Sequence, residues 1–191
     1  VDADIYTARP ADSVSEDGVY RSTIRIIMNP KNLKLNVVHQ ESYFCSDEDG
    51  FFRVISPLSV GDKNCPIFKA WKKLHFSGND DLDQFAKDNW DKSQSNWCLI
   101  QVIEDENKPE LVGQFKVFKL PKAIMKKLEA KLKPEAKKPM VRAHDFLIGL
   151  ALELKVEPGP KDPAHPERER REISYDLSEF GEVQPIIKVG G

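Results

Sequence analysis

Cysteine is scarce in this sequence, and the loops that cradle phosphate are missing. Three cysteines in 191 residues are too few for a disulfide framework, and a reducing, intracellular setting is the simpler reading. No glycine-rich P-loop, no G-x-S-x-G turn, no H-E-x-x-H helix and no paired C-x-x-C elements occur. The signatures of phosphoryl transfer, serine hydrolysis and zinc proteolysis are therefore lacking. The four histidines, His39, His75, His144 and His165, are scattered. Paired acids such as Asp80-Asp81 fall where helix caps and turns want acid. Together these absences argue against an enzyme. No apolar run reaches about 18 residues, so no membrane span is expected, and no secretory leader is expected either.

What is present is an ordinary globular composition with an uneven charge. The chain is 40% hydrophobic and 31% charged, and its length suits one domain with a real core. The formal net charge is −2, which hides the distribution. Residues 1–20 carry Asp2, Asp4, Asp12, Glu16 and Asp17 against Arg9 alone. From Lys116 to Lys138 there are nine lysines and only two acids, Glu129 and Glu135. Such asymmetry matters more for binding than the total. A solvated helix face would also account for the lysines.

The stretch from Ser95 to Lys131 organises the chain. Residues 95–103 are apolar and rich in β-formers, so they read as a buried strand. Residues 104–110 form a charged turn, and 111–120 the returning strand. Pro121 opens a helix with Ile124, Met125, Leu128 and Leu132 on one face. This hairpin carries an aromatic, Trp97, and runs into a lysine-rich helix. It offers a ring to stack a base on and cations to hold phosphates.

The remaining elements follow from periodicity and turn residues. Residues 1–18 read as an arm, partly mobile. Val19 to Met28, Leu33 to Cys45 and Phe51 to Ile55 read as an antiparallel meander. Helices are expected over residues 66–76, capped by Asn64, and from Asp80 to about Trp90. Lys133 to Arg142 reads as a linker. A strand is expected from Leu150 to Val156, a loop over 158–166 and a pairing strand over 168–176. A turn is expected over 177–181 and a short last strand over 185–189. The fold class is mainly β with inserted helices. Phe44, Phe68, Phe85 and Phe146 are assigned to the core.

Two constellations carry possible chemistry. His39, Cys45 and Cys65 gather around the second and third extended segments, with Cys65 in Cys65-Pro-Ile-Phe68 at a helix mouth. Zinc at such a place uses C-x-x-C for two of its four ligands, and Phe68 breaks that pair. Two buried thiols and a satisfied histidine explain the same residues. Aromatics with basic neighbours form the second set: Phe52 with Arg53, Trp71 with Lys72, Phe115 and Phe118 with Lys116 and Lys119, and Tyr175 with Arg170 and Arg171.

In order and local sequence these elements resemble the core of the single-stranded-DNA-binding, or helix-destabilising, proteins of T-even-like phages. The likeness rests on residues 19–27, on Val38-His39, Cys45 and Cys65-Pro-Ile-Phe68, and on Ser95-Asn-Trp97. It continues through Gly113-Gln-Phe-Lys-Val-Phe-Lys119, residues 146–156 and residues 173–180. The resemblance implies an OB-fold-like barrel over residues 19–189 after an N-terminal arm, residues 1–18, with a helical, formerly zinc-type insertion at about 56–92. It implies sequence-nonspecific binding of single-stranded DNA in phage-type replication, recombination or repair, inside a bacterial host. Carried over by position, Trp97, Phe118, Lys119 and Tyr175 line the groove, joined by Lys116, Trp71, Lys72, Arg53 and Lys122. Replication proteins and self-association along the strand are the implied partners, and no membrane.

The departures shape the expectation. The family's last zinc ligand is Phe68 here, so no zinc is expected from His39, Cys45 and Cys65. The basic segment before the family's Trp is reduced to Lys92. A basic N-terminal arm and an acidic C-terminal tail find no counterpart. Two readings remain: a single-strand binder, or a non-catalytic protein-interaction module of OB-like or sandwich fold. Salt dependence of binding separates them.

Overall fold

The computed structural model of the chain describes residues 4–27, 37–47, 50–62, 64–133, 143, 145, 149–161 and 171–183. It is mainly β with three helices. By its contacts the chain divides into two compact units: residues 37–97, and residues 1–36 with 98–191. The insertion expected at 56–92 lies inside the smaller unit.

The larger unit is built on β2 (Tyr20–Ile26). Alternation drives Tyr20, Ile24 and Ile26 inward, and all three are fully buried. Their neighbours on both sides are apolar as well. Ile24 lies opposite Val102 and Ile26 opposite Ile100 of β5 (Trp90–Asp105). On the other edge Tyr20 lies opposite Val156 and Ile24 opposite Leu152 of β7 (Leu150–Lys161). Burying each such aliphatic side chain contributes about 1.5–3 kcal/mol. Ile124 and Leu128 of α3 (Lys122–Leu132) are buried as well.

The meander expected from β2 onward is not what forms. β2 is flanked by β5 and β7, because the apolar run of residues 100–103 competes better for Ile24 and Ile26 than a polar strand could. β3 (Val38–Asp47) instead pairs with β4 (Gly50–Ile55) and with the first half of β5. β6 (Phe115–Leu120) begins later than expected, since Pro109–Leu111 form a 3₁₀ turn and Gly113 takes φ 83.

The arm is not loose where it is described. Ile5–Tyr6 form β1, parallel to β6, which makes the sheet mixed. Tyr6 is 2% exposed. Its Oη donates to Asp105 Oδ2 at 2.6 Å, and Tyr20 Oη donates to the same oxygen at 2.7 Å. Asp105 Oδ1 accepts from the backbone N–H of Asn107 at 2.9 Å and of Lys108 at 3.0 Å. Burial, then the adjacent carboxylate for Tyr6 and the neighbouring Tyr6 hydroxyl for Tyr20, raise both phenols well above their ordinary range. With the Asn107 side-chain amide at 3.4 Å as well, a buried carboxylate gains five donors, as buried charge requires.

At its C-terminal end the chain also extends further than expected. β7 runs on to Lys161 and pairs with β8 (Arg171–Ser174). The turn expected over 177–181 gives way from residue 179 to β9 (Glu179–Val183), which pairs with the start of β7. The strand expected at 185–189, the linker after Lys133 and Phe146 lie outside the described residues. Among the described residues the sheet is open: no pairing joins the β1–β6 edge to β8 or β9. The closed barrel of the resemblance is not formed by these pairings.

The smaller unit is a three-stranded antiparallel sheet, β4–β3–β5, with two helices. Cys65 caps α1 (Pro66–His75), its Sγ accepting from Phe68 N–H at 3.4 Å, with Pro66 at the first position. Asn79 caps α2 (Asp80–Asn89), accepting from the N–H of Asp81 at 2.9 Å and Leu82 at 3.3 Å. Each cap stands one residue from the one the sequence suggests, Asn64 and Asp80.

Candidate nucleic-acid interface

Register decides what the small sheet exposes. Opposed residues of an antiparallel pair share a face, and successive residues alternate. Tyr43 lies opposite Val54, and Cys45 opposite Phe52 and Trp90. Tyr43 and Cys45 pack with Cys65, and Val54, Leu58, Ile67, Phe68, Trp71 and Trp90 close around them. That is the helix-covered face. Burial pushes the Tyr43 phenol up to about 12.

The other face must therefore carry Val38, Gln40 and Phe44 of β3, Phe51, Arg53 and Ile55 of β4, and Trp97 of β5. Phe44 lies opposite Arg53 and Val38 opposite Trp97. Several of these are strongly exposed: Phe51 at 86%, Ile55 at 57% and Phe44 at 43%. Polar contacts tie the face together. Trp97 Nε1–H donates to Gln40 Oε1 at 3.1 Å. Arg53 donates from Nε to Ser42 Oγ at 3.0 Å and from Nη2 to Gln40 Oε1 at 3.4 Å. The Arg53 guanidinium stands 5.6 Å from the centroid of the Phe44 ring, a cation–π distance. Among the described side chains no carboxylate pairs with Arg53.

Trp97 and Arg53 thus meet on one face, as sequence-chosen candidates. Trp71 does not join them. It packs beneath the sheet, stacked on His75 at 4.5 Å and on Phe68 at 6.4 Å. Lys72 is exposed on α1. Phe44, assigned to the core from sequence, is on the open face. The signal was parity: Tyr43 and Cys45 cannot both face the helices unless Phe44 faces away. Gln40 was missed altogether. Phe85 is 48% exposed rather than core.

The other candidates belong to the larger unit. Phe118 is 3% exposed and meets Tyr6 edge-on at 5.9 Å, so its ring is taken up by the core and cannot stack a base as folded. Lys119 is exposed and Lys116 half-buried. Lys122 and Tyr175 come together in a cavity of about 600 Å³, with Pro121, Ala123, Gly159 and Ile173 also in its wall. Burial raises the Tyr175 phenol, and Arg9 works against that shift. Lys127 of the same helix is held by the carbonyls of Asp176 at 2.5 Å and Ser178 at 2.6 Å. A second groove of about 410 Å³ carries Glu104, Glu106, Glu153 and Glu182 against Arg21 and Lys155. Its charge opposes phosphate.

Cys45 and Cys65 share one buried cluster. His39 is exposed, its Nδ1 2.6 Å from Asn96 Oδ1. Among the described residues no three His, Cys, Asp or Glu side chains gather as a metal would need. No described helix is long and apolar enough to cross a membrane. No family model matches the chain, and no curated protein matches it.

Proposed function

We propose that this chain is a non-catalytic, single-stranded-DNA-binding protein that accepts strands with little sequence preference and serves phage-type DNA replication, recombination or repair. One observation carries the reading. The open face of the small sheet holds flat rings, Trp97, Phe44 and Phe51, around an arginine whose described partners, Ser42, Gln40 and the Phe44 ring, are all neutral. Rings accept any base by stacking, and a free guanidinium meets the backbone phosphate. The cavity with Lys122 and Tyr175 also brings a ring and a cation together in the larger unit, with Asp176 in its wall.

On this reading the larger unit, a mixed and open sheet with α3, is a relative of the OB-type barrel, and the small sheet presents the strand-binding face. Replication proteins and further copies of the chain along the strand are its partners. Zinc is not part of it, because Phe68 occupies the position where a fourth ligand would stand; one tightly bound zinc per chain by elemental analysis would overturn that.

The test is tryptophan fluorescence during titration with an oligothymidine, repeated at rising salt and against duplex. Saturable quenching that weakens with salt, is poor with duplex and disappears in Trp97→Phe supports the proposal. A folded protein with no quenching at low salt removes it. A protein partner is the second reading. Phe51 at 86% and Ile55 at 57% exposure on the edge strand favour it, and binding that ignores salt would select it.

A further inference from the structure

Gln40 belongs to no motif, yet it stands at the centre of the open face. Its Oε1 accepts from Trp97 Nε1–H at 3.1 Å and from Arg53 Nη2 at 3.4 Å. Indole and guanidinium nitrogens only donate. The amide oxygen must therefore face both, which settles the orientation of the side chain without reference to any ligand. Arg53 is held a second time by Ser42 Oγ at 3.0 Å and lies over the Phe44 ring at 5.6 Å. One neutral acceptor thus joins the ring and the cation that the single-strand reading needs together.

We propose that Gln40 is a positioning residue, locking the Trp97 indole and the Arg53 guanidinium in one frame before a strand arrives. The proposal rests on the single-strand reading. Its physical content is preorganisation. Both side chains lie on a solvent-facing sheet, so without the shared acceptor the indole loses its polar anchor, the guanidinium keeps only Ser42 and the Phe44 ring, and part of their ordering falls due on binding. A neutral amide suits the task. A carboxylate there would hold the same two donors but cancel the arginine's charge toward phosphate, and an aliphatic side chain would hold neither.

Gln40→Met keeps length and volume and removes the acceptor. Its effect is read three ways in the full chain: the thermal midpoint, the Trp97 indole N–H resonance, and the affinity for an oligothymidine. The midpoint is expected to hold. The indole proton is expected to lose its hydrogen-bonded shift and exchange faster with solvent. Affinity is expected to fall about tenfold, the cost of ordering two side chains at binding. In a Trp97→Ala background the same substitution is expected to cost clearly less, since Gln40 acts through that ring.

Losses that add in full would overturn positioning, because Gln40 would then act independently of Trp97. Unchanged affinity in Gln40→Met, with Trp97→Ala still weakening binding, would also overturn it while leaving the single-strand reading intact. Binding unaltered by either substitution takes the strand off the small sheet's open face and overturns the proposal, while no binding at all by the folded wild-type chain removes the single-strand reading itself. Gln40→Ser, shorter and still polar, serves where Gln40→Met lowers the midpoint; an unmoved indole resonance there counts against the proposal.

Discussion

The two units use their aromatic residues in opposite ways. In the larger one Tyr6, Tyr20 and Phe118 are turned inward, and the two phenols converge on one buried carboxylate, Asp105. In the smaller one Phe44 and Phe51 are turned out beside Arg53, and only one face of the sheet is covered by helices. The residue types are the same, and parity along a strand decides their fate. Phe118 falls on the inward phase of β6, between exposed Val117 and Lys119. Phe44 falls on the outward phase of β3, between buried Tyr43 and Cys45. An aromatic is therefore evidence for a core or for a surface only once its strand's phase is known.

The largest effect that sharpens this contrast is on stability. Phe118→Ala removes a fully packed ring and is expected to cost about 3–5 kcal/mol in urea unfolding. Phe44→Ala is expected to change stability by about 0.5 kcal/mol or less, as surface substitutions do, while weakening strand binding. If the two cost alike, the division between buried and presented rings collapses.

Binding gives the next effect. Trp97→Ala and Tyr175→Ala are each expected to weaken oligothymidine binding by about 1–3 kcal/mol without unfolding the protein. Both are half-buried, one on the open sheet face and the other in the cavity with Lys122. A loss confined to Trp97 would assign the strand to the small sheet alone. A loss confined to Tyr175 would move it to the cavity, and unchanged affinity in both would leave neither surface in use.

Much of the architecture is legible in the sequence, and the failures have physical causes. The period-2 runs locate β2, β4 and the apolar half of β5. The 3.6-residue spacing of Ile124 and Leu128 locates α3 within a residue. Partner choice is not local, so the meander is misread: nothing within residues 20–45 states that residues 100–102 bury Ile24 and Ile26 better. Strand β1 at the start of the arm is misread because a lone Tyr6 has no periodicity; its anchor, Asp105, lies 99 residues away in the chain. At the candidate site Trp97 and Arg53 are legible as types. Their meeting through Gln40 depends on the β3–β5 and β3–β4 registers and could not be read from composition.

Helix caps offer a smaller effect with a sharp location. Asn79 accepts from two N–H groups at the start of α2. Asn79→Ala is expected to cost about 1 kcal/mol, detected as faster amide exchange in residues 81–83. Asp80→Ala, the cap suggested by sequence alone, is expected to cost less. The reverse order would mean that α2 begins one residue later than it is drawn.

The smallest effect concerns two arginines. Arg21 is paired with Asp17 at 2.5 Å, and among the described residues the hydrogen-bond partners of Arg53 are neutral. The Arg21 guanidinium hydrogen-bonded to Asp17 lowers that carboxyl to about 2. A depressed carboxylate contributes whatever it contributes above its ordinary range and loses it as pH falls through about 2. Asp17 therefore stays ionised at every pH where strand binding is measured, and its charge beside Arg21 offsets what the arginine offers a phosphate. Arg53→Ala is expected to reduce the slope of log affinity against log salt by about one, and Arg21→Ala to leave it unchanged at pH 7. Equal reductions would show that carboxylate pairing does not withhold an arginine from the strand. An unchanged slope in both would place the phosphate contacts on lysines such as Lys119 and Lys122, away from the small sheet's open face.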